Sequence, residues 1–306
     1  MPVTNTQKKA WVITGPTSGI GYRTALALGD YGTVVLVGRN QDKLTGVKKE
    51  IEAKGGSART VVTDMSDIVS VRRAAAEIIE LGLPIAGVLN NAGILPAKPG
   101  KNKQGWEIGF ATNHLGPLAF TEALIPSLAD GTSIVFIASA VEDPERKIAV
   151  RAGFRGSRYI SAEAAARGEY LPGGSAHAGA DGYATSKQGA LASVFSLARE
   201  FPRLRFRAVE PGVNPGSNLA RDMPRPLYLM GKALAPVMAF MPYYSTPKRA
   251  AKVITTVLTD PSDATGIYYD EKGKPMQASK QVSDPAYADR YIAESRELLA
   301  TVPTAS

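Results

Sequence analysis

AWVITGPTSGIGYRTALALGDYG, residues 10–32, is the passage on which the fold turns. AWVITG is an apolar run of strand length, and GIGYRTALALGDYG has the apolar spacing of a helix that glycine ends. Between them lies TGPTSGIG, residues 14–21, whose three glycines have separate uses. Gly15 permits a tight turn, Gly19 lets the backbone approach a pyrophosphate, and Gly21 lets the helix pack closely on the strand. A phosphate there meets the free amides of a helix N-terminus. Taken alone, the same spacing also suits a plain glycine turn between strand and helix.

The strand-helix rhythm continues outward from this unit. VVLVG, ARTVVTD and PIAGVLNNAG read as strands; QDKLTGVKKEIEAKGG and SDIVSVRRAAAEIIELG read as helices, the second capped by Ser66 or Asp67. Strands made almost wholly of Val, Ile and Leu are those of a parallel sheet covered on both faces. A helical region from about Gln104 to Leu128 leads to a fifth strand, TSIVFIASA. Residues 141–180, rich in Gly and charge, break the rhythm and read as an insertion. There follow a helix from Tyr183 to about Phe201, the strand RLRFRAVEPG, an apolar segment over 223–244, a helix near 248–259, the strand TGIYYD and a last helix near 284–300. No repeat or linker divides the chain. The expected fold is α/β: a single Rossmann-type doubly wound parallel sheet with helices on both faces, one domain over residues 1–306.

Composition narrows the chemistry. A hydrophobic content of 44% with 21% charge is that of a globular chain rather than a disordered one. The net charge of +8 comes from scattered residues, without a zinc-finger or RNP-type aromatic pattern, so nucleic-acid binding is not expected. With no Cys and two His, thiolate and Cys-ligated metal chemistry are excluded and a His-rich metal site is not expected. There is no apolar signal region at the start and no stretch of about 18 uninterrupted apolar residues, which predicts a cytoplasmic protein without stable membrane insertion.

Two local readings bear on function. About twenty residues beyond the glycine loop, a site for NAD usually ends its second strand with an acid, whereas this strand ends Gly38-Arg39. A guanidinium suits a 2′-phosphate, so the cofactor expected is NADP. Tyr-x-x-x-Lys occurs four times, at Tyr183/Lys187, Tyr228/Lys232, Tyr244/Lys248 and Tyr268/Lys272, although 12 Tyr and 17 Lys would supply fewer than one by chance. Only Tyr183 and Lys187 fall early in a helix beyond the fifth strand, one turn apart on one face.

TGPTSGIG, Asp64 after the third strand, NNAG at 90–93, NHLG at 113–116, Ser139 ending the fifth strand, YATSK and the Pro211-Gly212 pair occur in one order. Together they resemble the short-chain dehydrogenase/reductases, over roughly residues 10–220. WEIGFATNHLGPLAFT and a tail whose helix ends ESRELL look most like the retinol dehydrogenase and protochlorophyllide reductase-like branch. The resemblance implies Tyr183 as general acid/base, Lys187 as its electrostatic partner and ribose ligand, Ser139 as the donor orienting a carbonyl, and Asn113 as holder of a relay water. It implies cofactor contacts from the loop residues Gly15, Thr17, Ser18, Gly19, Ile20 and Gly21, from Arg39 and Asp64, from Asn90 and Gly93, and from Pro211, Gly212 and Ser217. Asp64 also reads as a turn or cap residue, and Asn113 as a helix residue bonded to backbone. A phenol with a pKa near 10 would need roughly 4 kcal/mol of differential stabilisation to fall by about three units, which an ammonium and a cationic nicotinamide together could supply.

The activity implied is hydride transfer between NADP(H) and a small-molecule carbonyl or alcohol, bulky and apolar. Alternatives on the same scaffold are reduction of a carbon-carbon double bond and a non-catalytic NADP sensor. Two features depart from the pattern. Ser139 and Tyr183 are 44 positions apart, and Ser217, in VNPGSNL, stands where a Thr is expected slightly earlier. Many relatives form tetramers through the helices flanking residues 141–180, and a long insertion there implies a monomer. The segment 223–244 holds four of the seven Met residues, with Pro236 and Pro242 interrupting any long helix, and reads as a lid over an apolar pocket.

Overall fold

The computed structural model describes residues 9–96, 98–175, 177, 179–214 and 243–303. Seven parallel strands form one sheet in the order β3-β2-β1-β4-β5-β6-β7. These are β1 (Ala10–Thr14), β2 (Thr33–Gly38), β3 (Ser57–Val62), β4 (Ile85–Asn90), β5 (Ser133–Ile137), β6 (Arg205–Val209) and β7 (Ile267–Tyr269). Strands β1, β2 and β5 are buried at every position, as expected of mostly apolar strands covered on both faces.

Side-chain alternation sends each strand's residues to two separate cores. Val12, Val35, Val88, Ile134 and Phe136 face α3 (Ile68–Glu80), α4 (Gly116–Leu124) and α7 (Ala180–Glu200). Ile13, Leu36, Leu89, Val135 and Val209 face α1 (Gly19–Leu28), α2 (Gln41–Ala53) and α8 (Pro247–Thr259). The strand order reverses between β1 and β4, so a crevice opens where their C-terminal ends diverge. That crevice is where a doubly wound sheet places its ligand.

The expected element order is present, with differences at three places. The region expected as one helix from Gln104 begins instead at Ile108, where both Glu107 carboxylate oxygens accept from the amides of Gly109 and Phe110. It then passes through a π-helical turn, Ala111–Leu115, before α4. Helix α7 starts at Ala180, three residues before Tyr183, so Tyr183 stands inside its first turn. The insertion is partly helical, with α5 (Lys147–Arg151) and α6 (Ala162–Arg167). Ser161 caps α6 through the amide of Ala164, and Gly168 ends it in the left-handed region. The C-terminal tail supplies α9 (Lys280–Ser283) and α10 (Pro285–Ala300), the latter packed on α7. Of the apolar segment 223–244, all but Tyr243 and Tyr244 lies outside the described residues.

Candidate active site

The glycine loop joins β1 to α1 at the crevice. Gly15 and Gly19 have φ of 68° and 56°, the left-handed region that side chains disfavour. Gly21 has no room for a Cβ, which would strike the Asn91 amide and the Gly15 carbonyl. The Asn91 Nδ2 donates to the carbonyls of Thr14 (2.9 Å) and Gly15 (3.1 Å), pinning the loop to the end of β4. Thr14 Oγ1 accepts from the amides of Asn91 and Ala92, both at 3.0 Å. At the N-cap of α1, the Ser18 side chain makes no capping bond, which leaves the first-turn amides of Gly19, Ile20 and Gly21 without a side-chain acceptor. Such a terminus fits an anionic phosphate.

Around the loop stand the other expected cofactor residues. Arg39 is exposed one residue beyond β2, with no hydrogen-bond or ion-pair partner among the described residues. Asp64, beyond β3, uses Oδ1 to accept from the amide and hydroxyl of Ser66 (2.9 and 2.8 Å), the turn role its position also suggested. Asn90, buried at the end of β4, donates to Thr121 in α4 at 2.8 Å. Gly93 approaches both Asn113 and Lys187: a Cβ there would lie 3.3 Å from Asn113 Oδ1 and 3.8 Å from Lys187 Nζ. Pro211 and Gly212 follow β6, Gly212 with φ of 74°, and Ser217 lies outside the described residues.

The four expected catalytic residues converge beside this crevice from three elements. Ser139 follows β5 and hydrogen-bonds the phenol of Tyr183, from the first turn of α7. One turn on, Lys187 Nζ lies 5.5 Å from the centre of the Tyr183 ring and donates to the carbonyl of Ile137 at 2.7 Å. Asn113 sits in the π-helical turn, an irregularity common at functional positions. Its Oδ1 accepts from the Ile94 amide (2.8 Å), while its Nδ2 donates to the Ile94 carbonyl (2.8 Å) and to Ser186 (3.1 Å). The amide oxygen keeps one lone pair for a further donor.

A family profile described as short chain dehydrogenase matches residues 9–152. A short-chain dehydrogenase/reductase of Armillaria gallica is 29% identical over 235 residues, 76% of this chain and 72% of that one. Retinol dehydrogenase 13 of Homo sapiens is 32% identical over 123 residues, 39% of this chain and 37% of that protein. The solved structure of a short-chain dehydrogenase from Burkholderia cenocepacia in complex with NADP superposes with a TM-score of 0.63 at 22% identity, covering 87% of this chain and 97% of that one. The chain belongs to the short-chain dehydrogenase/reductase family. The human match supports the retinol dehydrogenase-like branch.

In this short-chain dehydrogenase/reductase the electrostatics of the site depart from the simple expectation. Desolvation pushes the Tyr183 phenol above its ordinary value, the Glu210 carboxylate pushes it further, and only the Ser139 hydrogen bond opposes them. The positive charge placed to act in the lowering direction is the Lys187 ammonium, 5.5 Å from the ring centre. Desolvation also lowers Lys187, to about 8, and Glu210 acts against it. Glu210 and Asn91 are the two site residues that sequence reasoning missed. Asn91 stood inside the quoted NNAG, but nothing in a sequence tells which of two adjacent Asn side chains turns toward a loop. Glu210 stood just before Pro211-Gly212, and its signal was an acid one residue beyond the end of a buried strand, a position where a carboxylate must find donors.

Of the other Tyr-Lys pairs, Tyr268 is buried on β7 with Lys272 beyond the strand, and Tyr244 lies in a turn before α8. The pair at 228 and 232 lies outside the described residues. Among the described residues no helix is long and apolar enough to cross a membrane, and no group of three or more His, Asp or Glu is placed to hold a metal ion.

Proposed function

We propose that this oxidoreductase transfers a hydride between NADP(H) and a carbonyl or alcohol, with Tyr183 as general acid/base. The convergence of Ser139, Tyr183 and Lys187 beside the glycine loop carries this reading. The first-turn amides of α1 hold the pyrophosphate, Arg39 the 2′-phosphate and Lys187 the ribose. The exposure of Arg39, without a partner among the described residues, and the NADP complex of the Burkholderia structure support NADP over NAD.

When bound, the nicotinamide supplies or takes up the hydride. Ser139 donates a hydrogen bond to the substrate oxygen and holds the carbonyl against the Tyr183 hydroxyl. Tyr183 gives its proton to that oxygen in reduction and takes it back in oxidation. Lys187 keeps a positive charge one turn away, and Asn113 holds the water through which Tyr183 is reprotonated. The substrate is bulky and apolar: the Met-rich segment 223–244 and the retinol in the human relative's name favour that class.

Turnover of NADPH with a panel of aldehydes, ketones, quinones and enones tests the reading, with product analysis separating carbonyl from carbon-carbon reduction. Tyr183→Phe is expected to lower kcat by roughly a hundredfold or more while NADPH still binds. An undiminished rate in that variant, or no turnover by the unaltered protein on any class, sinks the proposal. NADPH is expected to bind about tenfold or more tighter than NADH, the effect of one charge-assisted contact, and Arg39→Asp to narrow or invert the ratio. Equal affinities in the unaltered protein would remove Arg39 from the site.

A further inference from the structure

We propose that Glu210 is a positioning residue for the reaction: its carboxylate ties the Ser139 end of β5 to the Pro211-Gly212 turn and sets a negative charge against Tyr183 and Lys187. The inference rests on the roles assigned to those two residues above. Glu210 is only partly accessible and directly follows β6, next to β5 in the sheet. Its Oε2 accepts from the Ala140 amide in a short hydrogen bond, and its Oε1 accepts from the Gly212 amide at 3.1 Å. The Ala140 amide directly follows Ser139, so this carboxylate fixes the backbone on which the serine stands.

The charged and titratable groups facing Glu210 come from two further elements. From α7 come Tyr183 and Lys187. From β7 comes Tyr268, whose hydroxyl lies 3.5 Å from Oε2 and which in turn feels Glu142 and Arg146. Glu210 is the carboxylate acting on Lys187, and that charge favours the ammonium while disfavouring a phenolate at Tyr183. Such a residue does two things that a mere strand terminator does not. It positions the serine, and it keeps the tyrosine protonated to higher pH.

Neutral and charge-preserving variants separate these roles. Glu210→Gln removes the charge, so both Lys187 and Tyr183 fall; the alkaline loss of carbonyl reduction is expected to begin roughly one pH unit lower. The Lys187 midpoint, about 8 in the unaltered protein, is expected to fall by a similar amount when followed by NMR of lysine labelled at the carbon next to its amine, which needs no substrate. Glu210→Asp keeps the charge but shortens the bridge: kcat falls, and both midpoints stay near their original values. Should Glu210→Gln not fold, Glu210→Ser, small enough to admit a water to the two amides, serves as the neutral case. Unmoved midpoints in a folded neutral variant overturn the proposal, as does an equal displacement in Glu210→Asp. Failure of both neutral variants to fold also overturns it, because the carboxylate is then only structural. A fully active Tyr183→Phe would instead overturn the acid/base assignment and leave the Lys187 titration standing as its own result.

Discussion

At the residue scale, two glycines in neighbouring helices have opposite reasons for being glycine. Gly21 is held against the Asn91 amide and the Gly15 carbonyl, the same two groups whose hydrogen bond of 3.1 Å closes the loop. A methyl there must push one of them aside. Gly21→Ala is expected to weaken NADP(H) binding about tenfold or more, through loss of the loop's amide geometry, as calorimetry would record. Gly46, exposed in the middle of α2, has nothing near its Cβ position. Gly46→Ala should therefore stabilise the fold by about 0.5–1 kcal/mol, seen as a raised Tm. A rise in Tm for Gly21→Ala with unchanged binding would contradict the packing account. The glycine spacing made the loop legible from sequence, since three φ and packing demands in eight residues leave few other readings. What spacing could not reveal was the partner: Asn91 arrives from another strand, 76 positions away from Gly15.

At the element scale, a second carboxylate joins the insertion to the tail. Glu142, in the short turn after Ser139, is wholly buried. It accepts from the Ser279 amide (2.8 Å) and hydroxyl (2.6 Å), and from Gln188 of α7 at 3.3 Å. Gln188 accepts in turn from Tyr287 of α10. Desolvation pushes Glu142 up from 4.5 to about 7 in spite of these donors. A carboxyl whose folded value lies above its unfolded one stabilises the fold below the unfolded value, and that contribution is lost as pH rises through the folded value. Stability is thus expected to decline across about pH 4.5 to 7, by on the order of 2 kcal/mol, and the decline should be flatter in Glu142→Gln. Denaturant midpoints at a series of pH values check this; parallel curves for the two proteins would rule it out. The strands and the long helices were legible because β1, β2, β4 and β5 are apolar runs between helical stretches that glycine ends, whereas the short helices α5, α6 and α9 carry no such pattern. The boundaries at Ile108 and Ala180 were not legible, since both depend on contacts from elsewhere: the Glu107 amide donates to the Ala166 carbonyl of α6, and Gly179 fits under the Pro96 carbonyl.

At the scale of the whole molecule, the insertion bears on assembly. Tyr159 stacks on Tyr291 of α10 with ring centres 3.8 Å apart and donates to Glu294 at 2.6 Å. Glu294 also accepts from the Ala162 amide at the start of α6, and the far end of α6 meets the Glu107 amide. Residues 159–166 are thereby fastened over the start of the helical region before α4 and along α10, itself packed on α7. The resemblance places self-association on the two helices that flank the insertion, α4 and α7, and the monomer reading is that the fastened insertion masks that surface. We propose that the protein is a monomer of 32.3 kDa, and light scattering of the purified chain should return that mass. Replacing Tyr159 and Glu294 together with alanine removes the stack and both hydrogen bonds. The stack alone is a large side chain at a buried site, of a kind worth about 3 kcal/mol on truncation, so the insertion should detach and self-association should rise with concentration. A stable tetramer of the unaltered protein would mean that the insertion does not mask this face, whereas a double variant that stays monomeric would show that another surface feature prevents assembly.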